Sequence, residues 1–123
     1  SCEKLKYLNL SKFKFEYVEK MEYMFKDCKS LISLDLSSFD TSSVTYISDM
    51  FNGCEKLEYV NLRQALLSSN LVSYDNMIMN TAKNIVFCVI ESKTPVLNNQ
   101  MAENSCSTRI SDCSSDWRSF QKK

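Results

Sequence analysis

The chain has 123 residues, with 15 basic and 15 acidic side chains that cancel to a net charge of zero. With no cluster of Lys or Arg, a nucleic-acid partner has no electrostatic support, and no apolar run approaches the roughly 18 residues of a membrane helix, so no membrane insertion is expected. Histidine is absent and Gly occurs once, which removes Ser-His-Asp and Cys-His catalysis, histidine-ligated zinc and the glycine-rich phosphate loops.

From the N-terminus, the same pattern returns every 26 residues. Cys2, Cys28 and Cys54 are each followed at +3, +6 and +8 by apolar residues: Leu5, Leu8, Leu10; Leu31, Leu34, Leu36; Leu57, Val60, Leu62. A fourth copy, read from Ala82, supplies Ile85, Cys88 and Ile90. A fixed period of this length marks a solenoid, in which one coil cannot bury its apolar side alone. The last two apolar positions lie two apart, the alternation of a short strand with one buried face. Ser11 and Ser37 follow the strand, and Phe13 and Phe39 come two later. Val18, Met21, Met24 and Phe25 then match Val44, Ile47, Met50 and Phe51. Spacings of three and four predict a short helical arm in each coil. Ser42 and Ser43 are placed to cap its start and Gly53 to end it.

The stretch Cys28 to Cys54 (CKSLISLDLSSFDTSSVTYISDMFNGC) resembles the BspA-like leucine-rich repeats of bacterial and protist surface proteins. The first coil departs from that pattern at Lys14, Phe15, Glu16 and Tyr17. The third keeps its strand and then fills a longer arm with Leu66, Leu67, Leu71, Val72, Met77 and Met79. The resemblance covers residues 2 to 97. It implies an α/β fold: a right-handed leucine-rich-repeat solenoid of about four coils, each a short parallel strand plus a helical arm. It also implies an extracellular or cell-surface setting, with adhesion as the usual role.

Residues 1–97 are therefore expected to form the solenoid. Residues 98–123, polar from Asn98 and containing Trp117, are expected to form a cap or an exit segment. The chain begins in phase with a repeat and reads as a piece of a longer one, with neighbouring repeats or domains as further partners. Leu5, Leu8 and Leu10 are expected to be incompletely covered.

The cysteines divide into two groups. Cys2, Cys28 and Cys54 form one stacked column about 4.8 Å apart, read as buried thiols that behave as small hydrophobes. A lipidated Cys2 is set aside because Cys2 is simply the first member of that column. Cys88 is expected in the core. Cys106 and Cys113 lie in the polar tail, where a Cys106–Cys113 disulfide is the first expectation and Cys88 pairing with either is the rival. Either pairing implies an oxidising compartment.

Binding positions follow from the same register. If +3, +6 and +8 point inward, the +5 column reads Tyr7, Ser33, Tyr59, Phe87, and the +7 column reads Asn9, Asp35, Asn61, Val89. Tyr7, Asn9, Ser33, Asp35, Tyr59, Asn61 and Phe87 make up the candidate face, suited to a protein or glycan ligand. Tyr and Phe also pack well on strands for purely structural reasons. Asn9-Leu10-Ser11 is a glycosylation tripeptide on that face. No cofactor motif or metal-ligand spacing appears. Asp40 and Asp49 fall where solvated charge is the default, so no enzyme is expected. The function expected is a non-enzymatic interaction module, with a structural spacer as the alternative.

Overall fold

The computed structural model describes residues 3–14, 17–39, 41, 43–66, 71–104, 108–114 and 116–121. It is an α/β arrangement built on one five-stranded parallel sheet, β1 (Tyr7–Asn9), β2 (Ser33–Asp35), β3 (Tyr59–Asn61), β4 (Val86–Cys88) and β5 (Thr108–Ile110), ordered as in the sequence. The pairing Leu8–Leu34–Val60–Phe87 aligns the middle residue of the first four strands. Those of β2, β3 and β4 are completely buried, as are Leu31, Leu36, Leu57 and Leu62. The 26-residue spacing thus places like residue above like, and the core is a set of stacked apolar columns. Leu5 is exposed, and Leu8 and Leu10 are half-buried against the core.

The fourth coil is one residue out of the expected register. Val60 pairs with Phe87 and Asn61 with Cys88, so Phe87 enters the core and Cys88 faces outward. A one-residue shift exchanges the two faces of a strand. Phe87, expected on the binding face, is fully buried beside Phe51, with ring centroids 6.5 Å apart. Ile85 is buried as expected, and Ile90 is only half-buried.

The arms are chains of turns, not helices. Helix occurs among the described residues only near the C-terminus, as α1 (Pro95–Asn104) and two single 3₁₀ turns, Glu91–Lys93 and Trp117–Phe120. The reason lies in where the arm's N–H groups go. Met21, Tyr23, Phe25 and Asp27 donate to the carbonyls of Tyr46, Ser48, Met50 and Asn52, at 2.8, 3.1, 3.0 and 2.9 Å. Ile47, Asp49, Phe51 and Gly53 donate in the same way to Ser73, Asp75, Met77 and Met79. Alternate residues therefore bond to the next coil, while those between close local turns, such as Lys26 to Tyr23 and Asn52 to Asp49. A helix would need every N–H for its own fourth preceding carbonyl.

That geometry requires two left-handed residues per arm, four apart: Tyr23 and Asp27, Asp49 and Gly53, Asn76 and Asn80, with φ between 57° and 86°. Asp, Asn and Gly tolerate this region, and Tyr does not. A Cβ on Gly53 would collide with the Asp27 carboxylate of the preceding coil. Between the strands and the arms, Phe25 and Phe51 stack at 5.9 Å and 6°. Cys28 and Cys54 are buried thiols in the core, and the Cys54 Sγ donates to the Phe25 carbonyl at 2.9 Å. Cys2 lies outside the described residues.

At the far end, α1 starts on Pro95, whose missing N–H costs nothing in a first turn. It sets Leu97 and Met101 into the core and spans the expected boundary at 97/98. The segment expected to be a cap or an exit then adds β5 to the sheet.

Two outcomes follow. Phe51→Ala removes the ring shared by both aromatic contacts and is expected to cost about 3–5 kcal/mol in denaturant unfolding. Tyr23→Asn relieves a left-handed tyrosine and forfeits an exposed Lys26 contact. It is expected to stabilise the fold by about 0.5–1 kcal/mol, read as a higher melting temperature.

Candidate functional site: the outer strand face

The outer face is defined by the first and third residue of each strand. Its two columns are Tyr7, Ser33, Tyr59, Val86, Thr108 and Asn9, Asp35, Asn61, Cys88, Ile110. Val86 and Cys88 replace the expected Phe87 and Val89, both of which are in the core.

The second column has a structural task. The Oδ1 atoms of Asn9, Asp35 and Asn61 accept the N–H groups of Ser11, Ser37 and Arg63 at 2.9, 2.9 and 3.1 Å. Each side chain thereby turns the chain out of its strand, the usual use of Asn and Asp at such positions. Their recurrence every 26 residues is accounted for by this turn. Asn9 is exposed, and Asp35 and Asn61 are half-buried.

The first column splits the face in two. Tyr7 is 60% exposed, whereas Tyr59 is 7% exposed because Trp117 stacks on it at 5.4 Å and 13°. Beyond β5 the chain doubles back over β3 and β4. Ile110, Cys113 and Trp117 pack on Tyr59, Val86 and Cys88 as a small second core. Arg118 lies over the Trp117 ring at 4.2 Å. Gln121 Nε2 donates to Glu58 Oε1 at 2.9 Å and to the Asn84 carbonyl at 3.3 Å. The Arg63 guanidinium donates to the Ser111 carbonyl. Trp117, in the segment expected as a cap or an exit, covers the strand face.

The tail is fastened by a Cys88–Cys113 disulfide with Cα atoms 5.5 Å apart. This is the rival pairing and replaces the expected Cys106–Cys113 loop. Its cause is the register of β4, which turns Cys88 away from the core and towards the returning tail. Cys106 lies outside the described residues. A cross-link over a separation of 25 residues contributes about 3–4 kcal/mol in the chain-entropy account. The Tyr59–Trp117 stack adds about 0.5–1.5 kcal/mol beyond its area. The covalent term dominates.

An open cavity of about 730 Å³ lies where β4 and β5 end, lined by Arg63, Ile90, Glu91, Arg109, Asp112 and Phe120 among others. Arg109 pairs with Glu91 at 3.4 Å, and Arg63 is taken by Ser111. The two cations are thus engaged, and two carboxylates share the lining. Among the described residues no group of three His, Cys, Asp or Glu side chains is placed to hold a metal ion. Asp49 accepts from Asn52 at 2.8 Å, and Asp40 lies outside the described residues. No described helix is long and apolar enough to cross a membrane.

The fold and face together define a repeat-built parallel-sheet protein whose outer surface is half open and half covered by its own tail. Its family is the one described as "Mycoplasma protein of unknown function, DUF285", whose model matches residues 1–86; the chain belongs to that family. The match stops at the first residue of β4 and leaves out α1, β5, the disulfide and the tail. No curated protein and no solved structure matches the chain.

Burial, and secondarily the negative charge of Asp35, push the Tyr59 phenol above its ordinary value of 10.0. A raised folded-state value means the folded form holds the proton longer. Its stabilising contribution is complete below pH 10 and is lost as pH rises through the folded-state value. Melting curves are expected to fall from about pH 10 upward, and Tyr59→Phe should flatten that part of the decline.

Proposed function

We propose that this chain is a non-enzymatic interaction module of a surface protein, binding a protein or glycan through its outer strand face. One observation carries the reading: Tyr7 stands 60% exposed on a face whose equivalent ring two coils later, Tyr59, is sealed. The candidate ligand contacts are Tyr7, Asn9, Ser33 and Asp35 on β1 and β2. Tyr59 and Asn61 belong to the covered half, and Phe87 to the core. An exposed aromatic ring with amide and hydroxyl neighbours suits stacking against a side chain or a sugar ring.

Two further points support a surface location. A disulfide persists in an oxidising compartment, and repeats of this kind resemble the BspA-like class. In this reading the coils are wound as a right-handed leucine-rich-repeat solenoid. A spacer role is the second reading. It is favoured by the tail's cover over β3 and β4, which halves the open face.

The test is a screen of the disulfide-bonded chain against matrix proteins and glycan arrays. Tyr7→Ala is expected to weaken any binding found by tenfold or so while leaving the melting temperature within about 1 °C, since one exposed side chain contributes little to the core. Unchanged binding in that variant would favour the spacer.

A further inference from the structure

The tail behaves as a lid over half of the proposed binding strip, and its chemistry says how the lid is held. Between Ser111 and Gln121 nothing described is buried. Cys113 and Trp117 are half-buried, Phe120 is 45% exposed, and the single 3₁₀ turn there has no buried residue. Among the contacts that hold this segment are one aromatic stack, the packing of Cys113 and Trp117 on Tyr59, Val86 and Cys88, hydrogen bonds from Gln121 and Arg63, and the Cys88–Cys113 bond. Segments with so few buried contacts open at low cost once a tether is removed.

What lies beneath is the opposite. Val86 and Cys88 are fully buried and Tyr59 nearly so, and all three gain that burial from Ile110, Cys113 and Trp117. Only Ile110 of these covers is in the sheet ladder. Lifting residues 111–121 would therefore uncover the Tyr59 ring and part of Val86, in line with Tyr7 and Ser33.

We propose that the Cys88–Cys113 disulfide is a redox latch: reduction by a dithiol frees residues 111–121 and extends the open strand face from two coils to four. In the reaction, one thiolate of the dithiol attacks Cys113 Sγ, the half-buried partner. The Cys113–Cys88 bond breaks, and Cys88 Sγ leaves with the electron pair and takes up a proton. The second thiol of the reductant, as thiolate, then displaces Cys113, which is protonated in turn. Two protein thiols and one reductant disulfide result. The core stays assembled, because its columns, both hydrogen-bond ladders and α1 do not involve this bond. The use of the uncovered strip as a binding surface rests on the reading proposed above; the latch itself does not.

Trp117 is the only tryptophan, so its fluorescence reads the lid directly. The full chain is compared oxidised, in dithiothreitol, and as Cys113→Ser without reductant. The latch predicts a red shift of Trp117 emission and easier acrylamide quenching in the last two, with stronger fluorescence of the apolar dye anilinonaphthalene sulfonate. Far-UV circular dichroism and a cooperative melt should be retained. Trp117 emission unchanged in both reduced states overturns the proposal, because the stack alone would then hold the lid. Loss of the cooperative melt on reduction also overturns it, because the bond would then be a staple of the whole fold. Array binding is read separately. A freed tail with no ligand on the strip removes the binding reading and leaves the latch, whereas a fixed tail removes the latch whatever binds at Tyr7.

Discussion

The arm N–H groups donate to the next coil, and the rest of the architecture depends on that choice. Once Met21, Tyr23, Phe25 and Asp27 are committed to carbonyls of the following coil, the arm cannot close helical bonds of its own. Left-handed residues every fourth position then keep the chain turning. The strands supply a second ladder at the other side of each coil. Between these two rails lie the apolar columns, aligned because both rails advance by nearly the same number of residues. Each coil depends on its neighbours for every second hydrogen bond of its arm and for its apolar cover. The cost falls on particular residues, and Tyr23 shows it: a tyrosine is held at φ 61 because the ladder on either side leaves no other path.

The sheet therefore has one face whose content is dictated and one that is not. Inward, the strand centres Leu34, Val60 and Phe87 must fill a column. Outward, only the Asn9–Asp35–Asn61 column is constrained, by the turn each makes to its own backbone. The Tyr7–Ser33–Tyr59–Val86 column is bound by neither demand. It is where this chain differs from coil to coil, and where an interaction could be placed without disturbing the stack. The tail takes up half of that freedom.

Most of the inner face was legible in the sequence. The triplets Leu31, Leu34, Leu36 and Leu57, Val60, Leu62 are buried as their spacing implies, and so are Phe39, Cys28 and Cys54. The arms were not legible as turns, because spacings of three and four serve a helix and a chain of turns alike. The discriminating signal was present in Asp27, Asp49, Gly53, Asn76 and Asn80, residue types suited to positive φ that recur four apart. Tyr23 obscured it. The register of β4 failed for a different reason. Ile85-Val-Phe-Cys-Val-Ile is apolar throughout, and alternation carries no phase when both faces are covered.

That failure also put the observed disulfide in second place. With Cys88 assigned to the core, its pairing with Cys113 stood only as the rival to a Cys106–Cys113 loop. With Cys88 turned outward, β4 needs a cover, since Val86 and Cys88 beside Tyr59 would otherwise form an exposed apolar patch. The doubly apolar strand and the polar-looking tail are two halves of one arrangement. Trp117 and Ile110 bring the apolar surface that the outward face of β4 calls for. The bond to Cys113 lets so short a segment, with no buried residue in its 3₁₀ turn, stay in place. A strand read as apolar on both sides was thus evidence for a lid, and a cysteine on its outward side indicates where that lid is tied down.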